Sequence, residues 1–394
     1  MESDDSNFLN ERISRRDFIK KSALALAGVG LGAYGLGRIL SRGRVDGLLG
    51  NSSSVKPGKW SREAYFYAGL GDSARCLLCP NECIVKDGER GVCRSRTSVG
   101  GVLYTLAYGN PCSVHVDPIE KKPLYHFLPE SSSFSIATGG CNFRCLNCQN
   151  WSISQYPPDE LKNFDLMPEK VVEAAANNKC ESIAYTYSEP STFYEYMHDT
   201  ASIAVEQGIR GVWVTNGYLN REPLEKLCKV VHAANVDLKA FDDGVYLKLT
   251  SGRLQPVLET LKTLKANGVW FEVTNLVVPY WTDDMGMIRE MCAWLKRNIG
   301  PDYPLHFSRF HPEYKLTNLP PTPTSFLESA WDTAKDEGLN HVYIGNVPGS
   351  GKQDTYCPDC GGVVIQRRGY EVSIKDFEDG YCGGCGARIA GVWK

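Results

Sequence analysis

From residue 134 onward, short apolar runs alternate with amphipathic stretches of helical length. The runs 134–138, 182–187, 211–215, 234–239, 270–278 and 304–310 read as strands. Between and after them, 168–178, 191–207, 222–232, 255–267, 284–298 and 324–337 read as helices. Pro168 fits the first turn of its helix, and Gly208, Gly268 and Gly338 fit helix stops. Repeated strand–helix alternation predicts an α/β fold built from βα units around a parallel sheet.

The ends of the chain break this pattern. Ser14-Arg15-Arg16-Asp17-Phe18-Ile19-Lys20 precedes an apolar run at 23–36. That run suits a signal h-region better than a span of about 20 residues. The pair matches a twin-arginine export signal and predicts a membrane-anchored or extracytoplasmic protein, with a cytoplasmic one as the alternative. The chain divides into a signal or anchor (1–44), a linker (45–64), a cysteine-rich module (65–125), a barrel (126–345) and a zinc-ribbon-like module (350–394).

Composition allows a sizeable core, with 394 residues and 42% hydrophobic content. A net charge of −3 disfavours a nucleic-acid partner held by bulk electrostatics. Most of the 15 cysteines are clustered, which favours metal ligation over a disulfide ladder. Cys180, Cys228 and Cys292 read as packed apolar side chains, and Cys112 as packed or as an extra ligand.

The organising motif follows the first strand of the barrel: Cys141, Cys145 and Cys148, spaced C-x3-C-x2-C. Three thiolates can hold three irons of a cubane and leave the fourth open, whereas structural zinc takes four ligands. Packed cysteines, or zinc completed from elsewhere, are the bland alternatives. Cys76, Cys79, Cys83 and Cys93 lie in a Gly-rich polar segment too poor in apolar residues for its own core, so a metal would staple it. Zinc and an auxiliary iron–sulfur cluster are both open there. Cys357, Cys360, Cys382 and Cys385 form two C-x2-C knuckles around short strands at 362–367 and 370–373. Their separation slightly exceeds the roughly 15–20 residues of usual zinc sites, and zinc is favoured over iron or a cluster.

The loop Thr138–Trp151 resembles the cluster loop of the radical S-adenosylmethionine (SAM) superfamily, with Asn147 where an aromatic residue is usual. With Cys76–Cys93 and Val116-Asp-Pro-Ile-Glu-Lys-Lys-Pro-Leu-Tyr-His126-Phe-Leu-Pro129, it resembles the AmmeMemoRadiSam group, related to pyruvate formate-lyase-activating enzymes. The resemblance implies a partial (β/α)6, TIM-like barrel, with a [4Fe–4S] cluster on Cys141, Cys145 and Cys148. It implies reductive cleavage of SAM to a 5′-deoxyadenosyl radical, which abstracts hydrogen from an unknown, possibly protein, substrate. It also implies a low-potential electron donor and Memo-like and AMMECR-like partners.

Further motifs carry the resemblance. Tyr187-Ser188-Glu189-Pro190 resembles Gly-Gly-Glu-Pro, which implies that Glu189 holds the SAM amino group. Thr215-Asn216-Gly217 and Asp237-Leu-Lys239 resemble activase strand ends, implying SAM contacts or a barrel ion pair. Val277-Val278-Pro279 would bracket the adenine, with Val278 central, and Ser308 or His311 would lie near substrate. The competing reading is a non-catalytic iron–sulfur or zinc protein for electron transfer or scaffolding.

Overall fold

The computed structural model describes residues 56–393. The twin-arginine-like stretch lies outside them. Among the described residues no helix is long and apolar enough to cross a membrane, which corrects the expectation of a membrane-anchored or extracytoplasmic protein.

The first strands are short: β1 (Arg62–Glu63), β2 (Tyr67–Leu70), β3 (Ser73–Cys76), β4 (Ile84–Val85), β5 (Arg96–Val99) and β6 (Val102–Thr105). They form two small antiparallel sheets, β1-β6-β5 and β2-β3-β4. β1 lies in the stretch read as linker, and Arg62 and Glu63 pair with Thr105 and Tyr104.

The main sheet follows chain order. β7 (Ser113–Pro118) runs antiparallel to β8 (Ser132–Ala137). Parallel strands then follow: β9 (Ser182–Tyr185), β10 (Arg210–Thr215), β11 (Ala233–Asp237), β12 (Trp270–Val277), β13 (Leu305–Arg309) and β14 (Val342–Gly345). The helices between them are Pro168–Asn177, Tyr194–Glu206, Arg221–Leu227, Leu254–Ala266, Met285–Asn298 and Thr324–Asp336. Gly208, Gly268 and Gly338 take φ of 73°, 69° and 87° just past helix ends, a region open to glycine without steric cost.

The sequence pattern misses three elements. β7 and β14 extend the sheet at both edges, and Asp243–Thr250 is a helix capped by the Asp242 carboxylate, which accepts from the Val245 N–H at 2.7 Å. The stretch 222–232 is helical only to Leu227. The chain then turns so that the His232 N–H reaches the Gly211 carbonyl at 2.9 Å and β11 can begin.

One core cluster explains the apolar run after β7. Ile119, Leu124 and Phe127 pack on Ala184, Val212 and Ala233, which register side by side on β9, β10 and β11. The small alanines leave room for this segment, and Asn235 Nδ2 anchors it by donating to the Pro123 carbonyl at 2.8 Å.

The C-terminal residues form β15 (Thr355–Tyr356), β16 (Val363–Arg368) and β17 (Glu371–Ile374), then the hairpin β18 (Phe377–Glu378) and β19 (Tyr381–Cys382). Val392 exchanges backbone hydrogen bonds with His126 and Leu128, each 2.8 Å. A buried donor chain reinforces the dock: Arg367 Nη1 donates to Thr355 Oγ1 (2.7 Å), Thr355 to Tyr343 (2.9 Å), Tyr343 to His126 Nε2 (2.6 Å), and His126 Nδ1 to the Ala390 carbonyl (2.7 Å). Every link has one consistent direction if His126 is neutral, and burial pulls its pKa well down.

His341 makes a stability prediction. Its ring lies 4.4 Å from that of His126, and burial pushes its pKa down to about 4. The unfolded chain therefore binds a proton between about pH 6.5 and 4 that the folded chain refuses, so stability is expected to fall as pH drops through that window. One such group contributes a slope of up to about 1.4 kcal/mol per pH unit. Denaturant midpoints at pH 7 and pH 5 measure it. His341→Phe, which also removes the partnerless buried Nε2, should flatten the difference; an unchanged slope would remove His341 as its source.

Candidate functional site

The C-terminal ends of β8, β9, β10 and β11 converge on the loop that carries Cys141, Cys145 and Cys148. Cys145 is buried, and Cys141 and Cys148 are half-buried. Backbone bonds fix the loop: Arg144 N to Thr250 O, Leu146 N to Leu249 O (both 2.9 Å) and Gly140 N to Ile153 O (3.1 Å). Gly140 has a φ of 104°, and a Cβ there would lie 2.5 Å from the Cys93 carbonyl. Only glycine lets the N-terminal module approach this closely.

Donors aim at the sulfurs. The Phe143 N–H lies 3.3 Å from Cys141 Sγ, Asn216 Nδ2 3.9 Å from the same atom, and Ser154 Oγ 3.2 Å from Cys148 Sγ. Burial pushes the Cys141 thiol well up, and the nearby Glu189 carboxylate adds to the shift. Burial also pushes Cys145 up to about 12 against the pull of Lys239. These are therefore thiols whose protons a metal must displace. Three soft ligands on one loop, with N–H donors directed at sulfur, fit an iron–sulfur cluster with one open iron.

Glu189 joins two strand ends. It caps the 3-10 turn Pro190–Phe193. Its Oε1 accepts from Ser191 N (3.0 Å), Ser191 Oγ (2.6 Å) and Thr215 Oγ1 (2.8 Å), while Oε2 accepts, among the described residues, only from Asn216 N (2.8 Å). Burial raises its pKa, and these donors oppose the shift. Asn216 Nδ2 donates to Asn142 Oδ1 at 2.8 Å, and Asn142 Nδ2 donates to the Tyr218 carbonyl at 2.9 Å. Asn142, which sequence reasoning passed over, thus ties the cysteine loop to β10; its only sequence signal is adjacency to Cys141.

The Tyr187-Ser188 departure from two glycines also has a structural account. Tyr187 sits at φ 62°, a left-handed conformation that is costly for a side chain with Cβ. Its hydroxyl donates to Asp117, which Lys121 Nζ (2.8 Å) and Lys122 Nζ (2.5 Å) also hold. Asn150 Nδ2 donates to its carbonyl at 2.9 Å. Burial against Asp117's opposing attraction brings the Lys122 pKa down to about 8. Near the same loop, Asn147 Oδ1 and Ser188 Oγ are buried without a partner.

Asp237 and Lys239 pair at 3.0 Å. Burial pulls the Lys239 ammonium down, but Asp237 and Cys145 overcome it and hold the pKa up. Val278 is fully buried in an apolar cluster with Leu249, Phe310 and Leu316, against which Leu146 of the cysteine loop packs. Ser308 accepts from Asn346 Nδ2 at 2.9 Å, and His311 is exposed. Cys112 lies along β8, its Sγ 3.5 Å from the Ala137 carbonyl.

The flanking cysteines form two different arrangements. Cys357, Cys360, Cys382 and Cys385 converge, all four sulfurs within 4.8 Å of one another. Their closest pairs, Cys357–Cys385 and Cys360–Cys382, lie 3.6 and 3.7 Å apart. A tetrahedral ion with bonds of about 2.3 Å needs sulfurs roughly 3.8 Å apart, so this group is consistent with a single metal ion. Cys76, Cys79, Cys83 and Cys93 instead line one cavity, together with Arg96 and Asn142.

The model of the Radical SAM superfamily matches residues 135–292. An uncharacterized protein of Methanocaldococcus jannaschii is 50% identical over 331 residues, 83% of this chain and 98% of that one. A second protein of that organism, named as a glycyl-radical enzyme activating enzyme, is 30% identical over 33% of this chain and 49% of its own length. The pyruvate formate-lyase 1-activating enzyme of Escherichia coli is 28% identical over 37% of this chain and 61% of its own. Among solved structures, a radical SAM methyltransferase from Sphaerobacter thermophilus aligns with a TM-score of 0.45 at 13% identity, covering 60% of this chain and 71% of that one.

Proposed function

The chain belongs to the radical SAM superfamily, and from that premise we propose that Cys141, Cys145 and Cys148 hold the [4Fe–4S] cluster while Glu189, Thr215 and Asn216 position SAM. When bound, the cluster and SAM together supply a 5′-deoxyadenosyl radical that takes hydrogen from a substrate. The observation that carries this reading is the network centred on Asn216, which bonds Glu189, Asn142 and the Cys141 sulfur and so wires the carboxylate to the cysteine loop.

Glu189 Oε2 has one protein donor and so keeps acceptor capacity for an ammonium group. Thr215 fixes the other carboxylate oxygen. Lys239, paired with Asp237, sets positive charge beside Cys145. Trp151 stacks on Tyr314 at 5.4 Å and donates to Glu313 Oε1 at 3.1 Å, contacts that hold the residues just after Cys148. Similarity to enzymes named as activating enzymes favours a protein substrate.

The decisive experiment is anaerobic reconstitution with iron and sulfide, then dithionite and SAM, with chromatography for 5′-deoxyadenosine. Formation of that product supports the reading; an intact, reducible cluster that yields none favours the electron-transfer alternative. Glu189→Gln should raise the KM for SAM about 10- to 100-fold, the loss of one charge-assisted hydrogen bond of about 1.5–3 kcal/mol. An unchanged KM would remove Glu189 from the SAM site.

A further inference from the structure

We propose that Cys76, Cys79, Cys83 and Cys93 hold a second four-iron cubane rather than a zinc ion, with Arg96 as its buried counter-charge. The two four-cysteine groups of this chain differ in geometry. The C-terminal sulfurs are drawn in to the spacing of one tetrahedral ion. Among the described residues the C-terminal four are the one group of Cys, His, Asp or Glu ligand atoms drawn that close, so no three of the N-terminal sulfurs converge in the same way. In a cubane each cysteine binds its own iron, which sets the sulfurs farther apart than a shared ion does.

A small, partly open hollow lies between these sulfurs, and all four cysteines line it. Cys76 closes β3, Cys79 and Cys83 flank the turn to β4, and Cys93 precedes β5. The small sheets thus bring ligands from four places to one hollow, with Leu78 and Val85 as apolar walls. The Val92 N–H lies 3.5 Å from Cys83 Sγ, a donor already directed at sulfur.

Arg96 is the independent observation. It is 1% exposed and lines the same cavity. Its Nη2 donates to both Glu195 oxygens, at 3.0 and 2.7 Å, while Nε and Nη1 have no partner among the described residues. Buried guanidinium N–H groups without acceptors are costly. A cluster in the hollow that Arg96 lines would offer both of them thiolate and sulfide acceptors of net negative charge, and N–H donors to cluster sulfur raise its reduction potential. Asn142, next to Cys141, forms part of the cavity wall, and Asn81 Nδ2 donates to its carbonyl at 2.9 Å. The second cluster therefore abuts the loop assigned to the first.

The test counts metal and sulfide after anaerobic reconstitution with ⁵⁷Fe, with Mössbauer spectra of the full chain. Two cubanes give about eight iron and eight sulfide per chain. With Cys141→Ala, Cys145→Ala and Cys148→Ala combined, about four iron and four sulfide should remain, and adding Cys76→Ser and Cys79→Ser should remove them. Zinc lost on that last step, or iron unchanged by it, overturns the proposal. Should the combined variant fail to fold, the wild-type chain decides: two cubane signals, of which SAM perturbs only one, support it, and a single cubane signal that SAM perturbs in full overturns it. A single cubane untouched by Cys145→Ala would instead sink the assignment of the first cluster and leave this one standing. Arg96→Lys keeps the charge but loses donors, so the cluster should persist at a lower midpoint potential; an unshifted potential overturns the role given to Arg96.

Discussion

A chain carrying Cys145→Ala is expected to form 5′-deoxyadenosine only at background level. Cys145 is the most buried of the three loop cysteines, and its neighbours Arg144 and Leu146 are pinned by backbone bonds to Thr250 and Leu249. With two thiolates left, a cubane would expose a second iron and lose the geometry that reserves one open position for SAM. Lys239 would then face its Asp237 partner without the sulfur charge it also stabilises. Cys180→Ala is the control: that thiol is also buried, yet its sulfur contact is the Asn178 carbonyl at 3.9 Å, and the variant should keep activity. Wild-type rates from Cys145→Ala would place the cluster elsewhere.

Glu195→Ala is expected to destabilise the fold by about 3–5 kcal/mol, because it strands a buried charge. Glu195 is 0% exposed and Arg96 1%. The carboxylate takes both hydrogen bonds from Arg96 Nη2 and also accepts from the Tyr65 N–H at 2.9 Å. Removing it therefore takes the carboxylate from Arg96 Nη2 and the acceptor from the Tyr65 N–H, in the buried seam between the N-terminal sheets and the helix Tyr194–Glu206. The pair itself need not add net stability, since desolvating two charges offsets much of their attraction. Urea midpoints of Glu195→Ala, Arg96→Met and the double variant measure the difference. The double variant should lie closer to wild type than the sum of the singles. A Glu195→Ala midpoint no lower than that of the surface variant Glu225→Ala would refute the stranded-charge account.

Much of the fold was legible because its signals are local. The strands 182–187 and 211–215 and the helices 255–267 and 324–337 are apolar runs with matching stops, and the structure places elements there within a residue or two. The helix Asp243–Thr250 was not legible, being short and weakly amphipathic, and β7 and β14 become strands only through pairing with β8 and β13. The shortened helix Arg221–Leu227 has the same origin, since the start of β11 competes for the residues that follow.

The candidate site divides in the same way. Its cysteines and Glu189 lie in compact motifs, so spacing singled out the cysteines and resemblance singled out Glu189. Asn142, Asp117, Lys122 and Arg96 carry no motif, because their roles arise from contacts with Asn216, Tyr187 and Glu195, each 65 or more residues away.

The sequence alone determined the α/β class, the three cysteine groups and the positions of the strand-end motifs, because periodicity and ligand spacing are properties of neighbouring residues. Only the tertiary structure decided which carboxylate oxygen stays free, why Tyr187 tolerates a left-handed backbone, and how the two four-cysteine groups differ in width. Those depend on distances and burial between segments remote in the chain, and the energy of a hydrogen bond or a buried charge is set by the groups around it.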